Sequence, residues 1–111
     1  MDIKKFEAFE IAVELIAQLR PLVVLIAQHD RDLADQIKRA GSSIPLNLAE
    51  GRKRVGRDRG HCFRIASGSA AEVRAALAVA QAWGYVDADV GVQALALLDR
   101  ELAMLWRLTH P

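Results

Sequence analysis

Apolar residues recur along this chain with the period of a helix, and no segment alternates with the period of a strand. Near the start two apolar series run side by side. Phe6, Phe9, Val13 and Ile16 follow a three-then-four spacing, and Ala8, Ile11, Leu15, Leu19, Leu22 and Ile26 run beside them. The pattern predicts a first helix that is apolar on two sides. Pro21 removes a backbone donor and crowds the carbonyl four residues back, so a kink or break is expected there. Asp30 is placed to cap a second helix over residues 31–54, whose core face carries Leu33, Ile37, Ile44 and Leu48. Pro45 lies inside that helix, but the carbonyl it disturbs belongs to Gly41. Ser42 and Ser43 can bond locally to freed groups, which predicts a kinked but continuous helix.

A third helix is expected to start near Asp58, because Phe63, Ala66, Ala70, Val73, Leu77 and Ala80 keep the three-four alternation for five turns. Gly84, just after Trp83, supplies its stop. Leu95, Leu98, Leu102, Leu105 and Leu108 mark a fourth helix ending near Thr109. Four helices with short connections predict an all-α fold, an antiparallel up-down four-helix bundle, as a single domain over residues 1–111.

Composition adds an expectation of self-association. At 52% hydrophobic residues but only 5% aromatics, alanine and leucine dominate, which suits helices whose apolar surface exceeds one stripe and buries a second face in an oligomer. The single Cys62 cannot form an internal disulfide, and His29, His61 and His110 have no paired spacing, so neither a metal nor a cofactor is expected. Glu7, Glu10 and Glu14 interrupt the apolar residues of the start, which therefore lacks the core of a signal peptide, and no run approaches a membrane span of about 20 apolar residues. A cytoplasmic protein without membrane contact is expected.

Charge divides the chain. Between residues 38 and 64 the eight cations Lys38, Arg39, Arg52, Lys53, Arg54, Arg57, Arg59 and Arg64 face only Glu50 and Asp58, a net of +6, while seven cations and twelve carboxylates elsewhere net −5. With Gly51, Gly56 and Gly60 punctuating it, this segment is the candidate nucleic-acid-binding site: arginine forks match phosphate geometry without requiring a fixed pocket. It has neither the Walker spacing nor a preceding strand that a nucleotide site would need. The alternative is a positive segment that meets acidic protein surface in an assembly module. Phe63 is the sole aromatic residue among these cations and belongs to the core, so base stacking is not indicated; Trp83, Tyr85 and Trp106 are expected to be core or interface anchors.

Beside the apolar stripe of the second helix runs a polar seam of Gln36, Arg39, Ser43, Asn47, Glu50 and Arg54, joined by Glu72 from helix three. Its expected role is structural, with Arg39, Glu50 and Arg54 forming ion pairs inside the bundle. Ser67, Gly68 and Ser69 are expected to let helix three pack closely against helix two, and the small tract from Ala40 to Ser43 to permit close backbone approach. Glu50 with Glu72 could be read as a carboxylate pair, and Ser43 or Ser69 as nucleophiles. No histidine lies at a spacing that places a base beside either serine, so catalysis is not expected.

The run DQIKRAGSSIPLNLAEG, then FRIASGSAAEV, then WGYV, resembles a family of four-helix bundle proteins first noticed as open reading frames in intervening sequences of large-subunit ribosomal RNA genes. The accessory variability determinant of diversity-generating retroelements shares that fold group. The family pattern is roughly Q-I-R-R-A, then S-I-P-x-N-I-A-E-G, then I-A-x-G-S-x-x-E. It is matched here by Gln36, Ile37, Arg39, Ala40, Ser43, Ile44, Pro45, Asn47, Ala49, Glu50, Gly51, Ile65, Ala66, Gly68, Ser69 and Glu72. The resemblance implies a homopentameric barrel, a basic surface for nucleic acid, a reverse transcriptase partner in the retroelement branch, and no enzymatic activity. Two departures stand out: the usual Phe-Pro before helix two is absent, and Val55 and Gly56 replace the Ser or Thr that usually precedes helix three.

Overall fold

A computed structural model describes residues 3–111 of the chain, with side chains from residue 7 onward. Four helices, α1 (Ile3–Ala27), α2 (Arg31–Arg52), α3 (Gly56–Ala82) and α4 (Val92–Thr109), make an all-α fold with no strand among the described residues. In α1 the series Ala8, Ile11, Leu15, Leu19, Leu22 and Ile26 is buried. The parallel series turns outward: Val13 and Ile16 are exposed and Phe9 is half-buried, while the side chain of Phe6 lies outside the described residues. The expected break at Pro21 does not occur, and α1 runs through it. Pro21 and Ala17, whose carbonyl loses its partner, are both exposed, so water can take the bond that the proline cannot make.

The Asp30 side chain accepts a hydrogen bond from the Leu33 amide at 3.0 Å, as a cap should. Helix α2 passes through Pro45 and ends two residues earlier than expected, because three-residue bonds from Lys53 to the Glu50 carbonyl and from Arg54 to the Gly51 carbonyl tighten its last turn. Gly56 then takes φ +57°, where a side chain would be strained, and opens α3 two residues before Asp58. The extended Val55 precedes it with no side-chain cap bond, so the departure from the family pattern leaves that helix start uncapped. At the far end Gly84 has φ +80°, its amide donates to the Gln81 carbonyl, and the Tyr85 amide donates to the Ala80 carbonyl. These two bonds are a Schellman stop, placed where the sequence put it.

Each helix packs on two neighbours, α1 on α2 and α4, and α3 on α2 and α4, in a body of 42 × 22 × 20 Å. Phe63, Leu15, Ile37, Ile44, Leu48, Leu98 and Leu105 fill its interior. Phe63 lies against Gly51 so closely that a Cβ there would sit 2.6 Å from the ring, which makes glycine a packing requirement at that position. A Cβ on Gly41 would meet Leu19 at an ordinary 3.5 Å, and one on Gly68 would meet nothing. Neither of those glycines is therefore needed for helix packing, contrary to expectation for the small tract and for Gly68.

One polar group breaks the core. Glu101 is 0% exposed, and among the described residues neither carboxylate oxygen has a hydrogen-bond partner. Burial pushes its pKa up to about 8. None of the described helices is long and apolar enough to cross a membrane.

Candidate nucleic-acid interface

The turn between α2 and α3 is built by backbone requirements first and charge second. Arg59 reaches back from the first turn of α3, its Nε donating to the Gly51 carbonyl at 3.2 Å and its Nη2 to the Arg52 carbonyl at 3.4 Å. These carbonyls lie at the C-terminal end of α2, where the Gly51 carbonyl already accepts from the Arg54 amide and a cation meets the negative end of the helix dipole. Arg59 therefore closes the turn. Arg54 is engaged too: its Nη2 and Nε donate to Glu50 Oε1 at 2.8 and 3.2 Å. The Arg54 hydrogen bond and charge hold the Glu50 carboxyl below its ordinary value, and Glu50 raises Arg54 in return. Both side chains stand about half in solvent, so the pair is a surface one, and Arg39 takes no part in it.

Lys53, Arg57 and Arg64 are exposed. Arg57 and Arg64 are seven residues apart and share one side of α3, separated by about 10 Å along its axis. The Arg64 guanidinium folds back over Gly60, where a Cβ would come within 3.1 Å of Nη1. Arg52 is half-buried, and Lys38 and Arg39 are exposed roughly 20 Å further along α2, so the eight cations do not form one patch.

The seam also divides. Ser43 is its centre: Asn47 Nδ2 donates to the Ser43 carbonyl at 2.9 Å and to Ser43 Oγ at 3.0 Å, and the Ser69 hydroxyl of α3 donates to Ser43 Oγ at 2.8 Å. This joins α2 to α3. Gln36, Arg39 and Glu72 are exposed. Among the described residues no group of three His, Cys, Asp or Glu side chains gathers as a metal site.

Of the two places expected for the aromatic anchors, core or interface, the tryptophans do not take the core. Trp83 is 70% and Trp106 59% exposed, so neither is a core anchor of this chain. At one end of the bundle Tyr85 stacks on His29 with centroids 5.0 Å apart and on Trp83 at 6.4 Å. At the end of α4, Trp106 and His110 stack at 4.3 Å with an interplanar angle of 13°.

The family model described as 23S rRNA-intervening sequence protein matches residues 4–107. The chain belongs to that family. A search of curated proteins finds no match. The family match takes in the whole basic turn, the Ser43–Asn47–Ser69 joint and Trp106, and stops short of His110. Sequence reasoning missed the turn-closing role of Arg59, the exposure of Trp106 and the burial of Glu101. The last was detectable, since Glu101 stands three residues after Leu98 and four before Leu105, on the core face.

Proposed function

We propose that this member of the 23S rRNA-intervening sequence protein family is a non-catalytic, cytoplasmic, self-associating bundle that binds nucleic acid through its α2–α3 turn. The observation that carries the reading is the exposure of Lys53, Arg57 and Arg64 around a turn that Arg59 holds shut from within. Cations presented on a fixed frame neutralise phosphates without an ordering cost at the moment of binding. The helices run alternately up and down. This is supported by the start of α4, where a Cβ on Gly91 would approach Gln81 and Leu22, and by the pairs Arg74–Asp99, Arg100–Glu7 and Ser43–Ser69 between neighbouring helices.

Labelled duplex DNA and structured RNA, followed by fluorescence anisotropy at several salt concentrations, test the binding. The log affinity falls linearly with log salt, by about 0.9 per duplex phosphate contacted. Lys53→Ala, Arg57→Ala and Arg64→Ala together weaken all sequences alike and flatten the slope by up to about 2.7. Arg100→Ala, which removes the partner of Glu7 on α4, changes neither quantity. Failure of both probes to bind at low salt, or full binding by the triple variant, refutes the reading.

Self-association, with a homopentamer as the family-based number, is supported by a groove of about 540 Å³ between α1 and α2. Exposed Val13, Ile16 and Val24 line it with Val23 and Gly41, an apolar face rimmed by Arg20 and Lys38. Light scattering after size exclusion gives the mass, and a monomer at micromolar concentration removes this part of the proposal.

A further inference from the structure

The exposed pair Trp106–His110 lies at the end of α4, and the register of α4 against α3 gives its level along that neighbouring helix. Arg74 of α3 pairs with Asp99 of α4, and the start of α4 lies against the end of α3 at Gly91 and Gln81. Stepping seven residues away from that pair in opposite directions brings Trp106 level with Ser67, and four more bring His110 level with Phe63, at about 1.5 Å per residue. Helical phase puts Trp106 within about 20° of Asp99, on the side of α4 that faces α3. On α3, Arg64 and Arg57 fall about 80–100° from Arg74, away from the buried stripe and on the outer face of the helix next to that seam. An aromatic shelf at the α3–α4 seam therefore adjoins the outer face of α3 that carries two exposed arginines.

The shelf is held in place by its own end of the helix. The Thr109 hydroxyl donates to the Leu105 carbonyl at 2.9 Å, and the His110 amide donates to the Trp106 carbonyl at 2.9 Å. His110 Nδ1 lies 2.9 Å from that same carbonyl and 3.1 Å from Thr109 Oγ1, which fixes the imidazole over the indole. A flat, exposed, pre-positioned ring stack with cations one to three turns away suits a ligand that joins π-faces to phosphates.

We propose that this junction is a subsite for single-stranded nucleic acid, in which an unpaired base stacks on the Trp106–His110 pair and Arg64 and Arg57 hold the neighbouring phosphates. The proposal rests on the nucleic-acid reading above and narrows it to a strand with accessible bases. Duplex DNA can use the arginines but not the shelf, because its bases are already stacked.

The test compares three labelled probes: single-stranded oligoadenylate, the same strand paired with oligouridylate, and an abasic strand of equal length. Trp106→Ala weakens oligoadenylate binding about 5- to 150-fold, the effect of deleting one stacking aromatic, and leaves the salt slope unchanged. Duplex and abasic binding stay at the wild-type level. Trp106→Phe retains most of the single-strand affinity, and Trp83→Ala, at the other end of the bundle, retains all of it. In a Trp83→Phe background, oligoadenylate quenches the remaining indole fluorescence. Unchanged single-strand binding by Trp106→Ala overturns the proposal, as does equal weakening of duplex and single strand. A loss that tracks a changed oligomeric mass also overturns it, by assigning Trp106 to a contact between copies. If wild type binds all three probes equally through the arginines, the basic turn stands and the shelf falls; if it binds none, both readings fall.

Discussion

Replacing Glu101 with Gln removes the one charged group that is buried among the described residues, and its effect on stability can be worked out from the carboxyl's surroundings. The side chain is 0% exposed, both oxygens lack hydrogen-bond partners among the described residues, and burial raises its pKa from 4.5 to about 8. A group that binds its proton more tightly in the folded state contributes its full stability below the unfolded value of 4.5 and loses it as pH rises to about 8. The maximum slope is about 1.4 kcal/mol per pH unit, so the wild type should lose on the order of 4 kcal/mol between pH 4.5 and 8 through this residue alone. Glu101→Gln is a neutral isostere of the protonated form. It should match the wild type near pH 4 and exceed it by about 4 kcal/mol at pH 8. Urea unfolding of both proteins at each pH isolates the effect as a difference of differences, which cancels other titrating groups. If the wild type and Glu101→Gln lose equal stability between the two pH values, the carboxyl is solvated or paired and the reasoning fails. Were it paired with a cation, the substitution would instead cost stability at pH 8.

Three further substitutions test the frame around the site. Gly51→Ala should destabilise the fold by about 1–3 kcal/mol, because the new Cβ meets the ring of Phe63, which is buried and has nowhere to move; chemical denaturation measures it. Asp30→Ala should cost about 1 kcal/mol by leaving the Leu33 amide without its cap, visible as a lower urea midpoint at unchanged m-value. Glu50→Ala should melt where Glu10→Ala does, since its partner Arg54 is an exposed surface cation; a large drop in Tm would mean the pair is covered, as it would be inside an oligomer.

The helices were legible because burial in a bundle imposes its period on the chain: the Ala8–Ile26 series, the Asp30 cap and the Gly84 stop each follow from local chemistry. Whether Pro21 breaks α1 or lets it continue turned on one piece of information, its exposure, which decides whether the orphaned Ala17 carbonyl finds water. The site was less legible, since a run of arginines does not say where each guanidinium goes. Arg59 turned inward to a backbone end and Arg54 paired with a neighbouring carboxylate at the surface, leaving Arg57 and Arg64 out of both contacts. Trp106 was hidden for a related reason. The residue it stands level with on α3, Ser67, lies about 40 residues away in sequence, and only the register of α3 against α4 relates the two.

Arg59 has a thermodynamic consequence for any polyanion that docks here. By bonding Gly51 and Arg52 across the chain reversal, it makes the loop a rigid template whose shape precedes its ligand. Association should then proceed with a small heat-capacity change and no coupled folding, and calorimetry over a range of temperatures would register a nearly constant enthalpy. Cutting that tether with Arg59→Met would keep much of the side chain's length while freeing the loop. Recognition would become an ordering event, with slower formation of the complex and an entropic penalty in place of a preset fit.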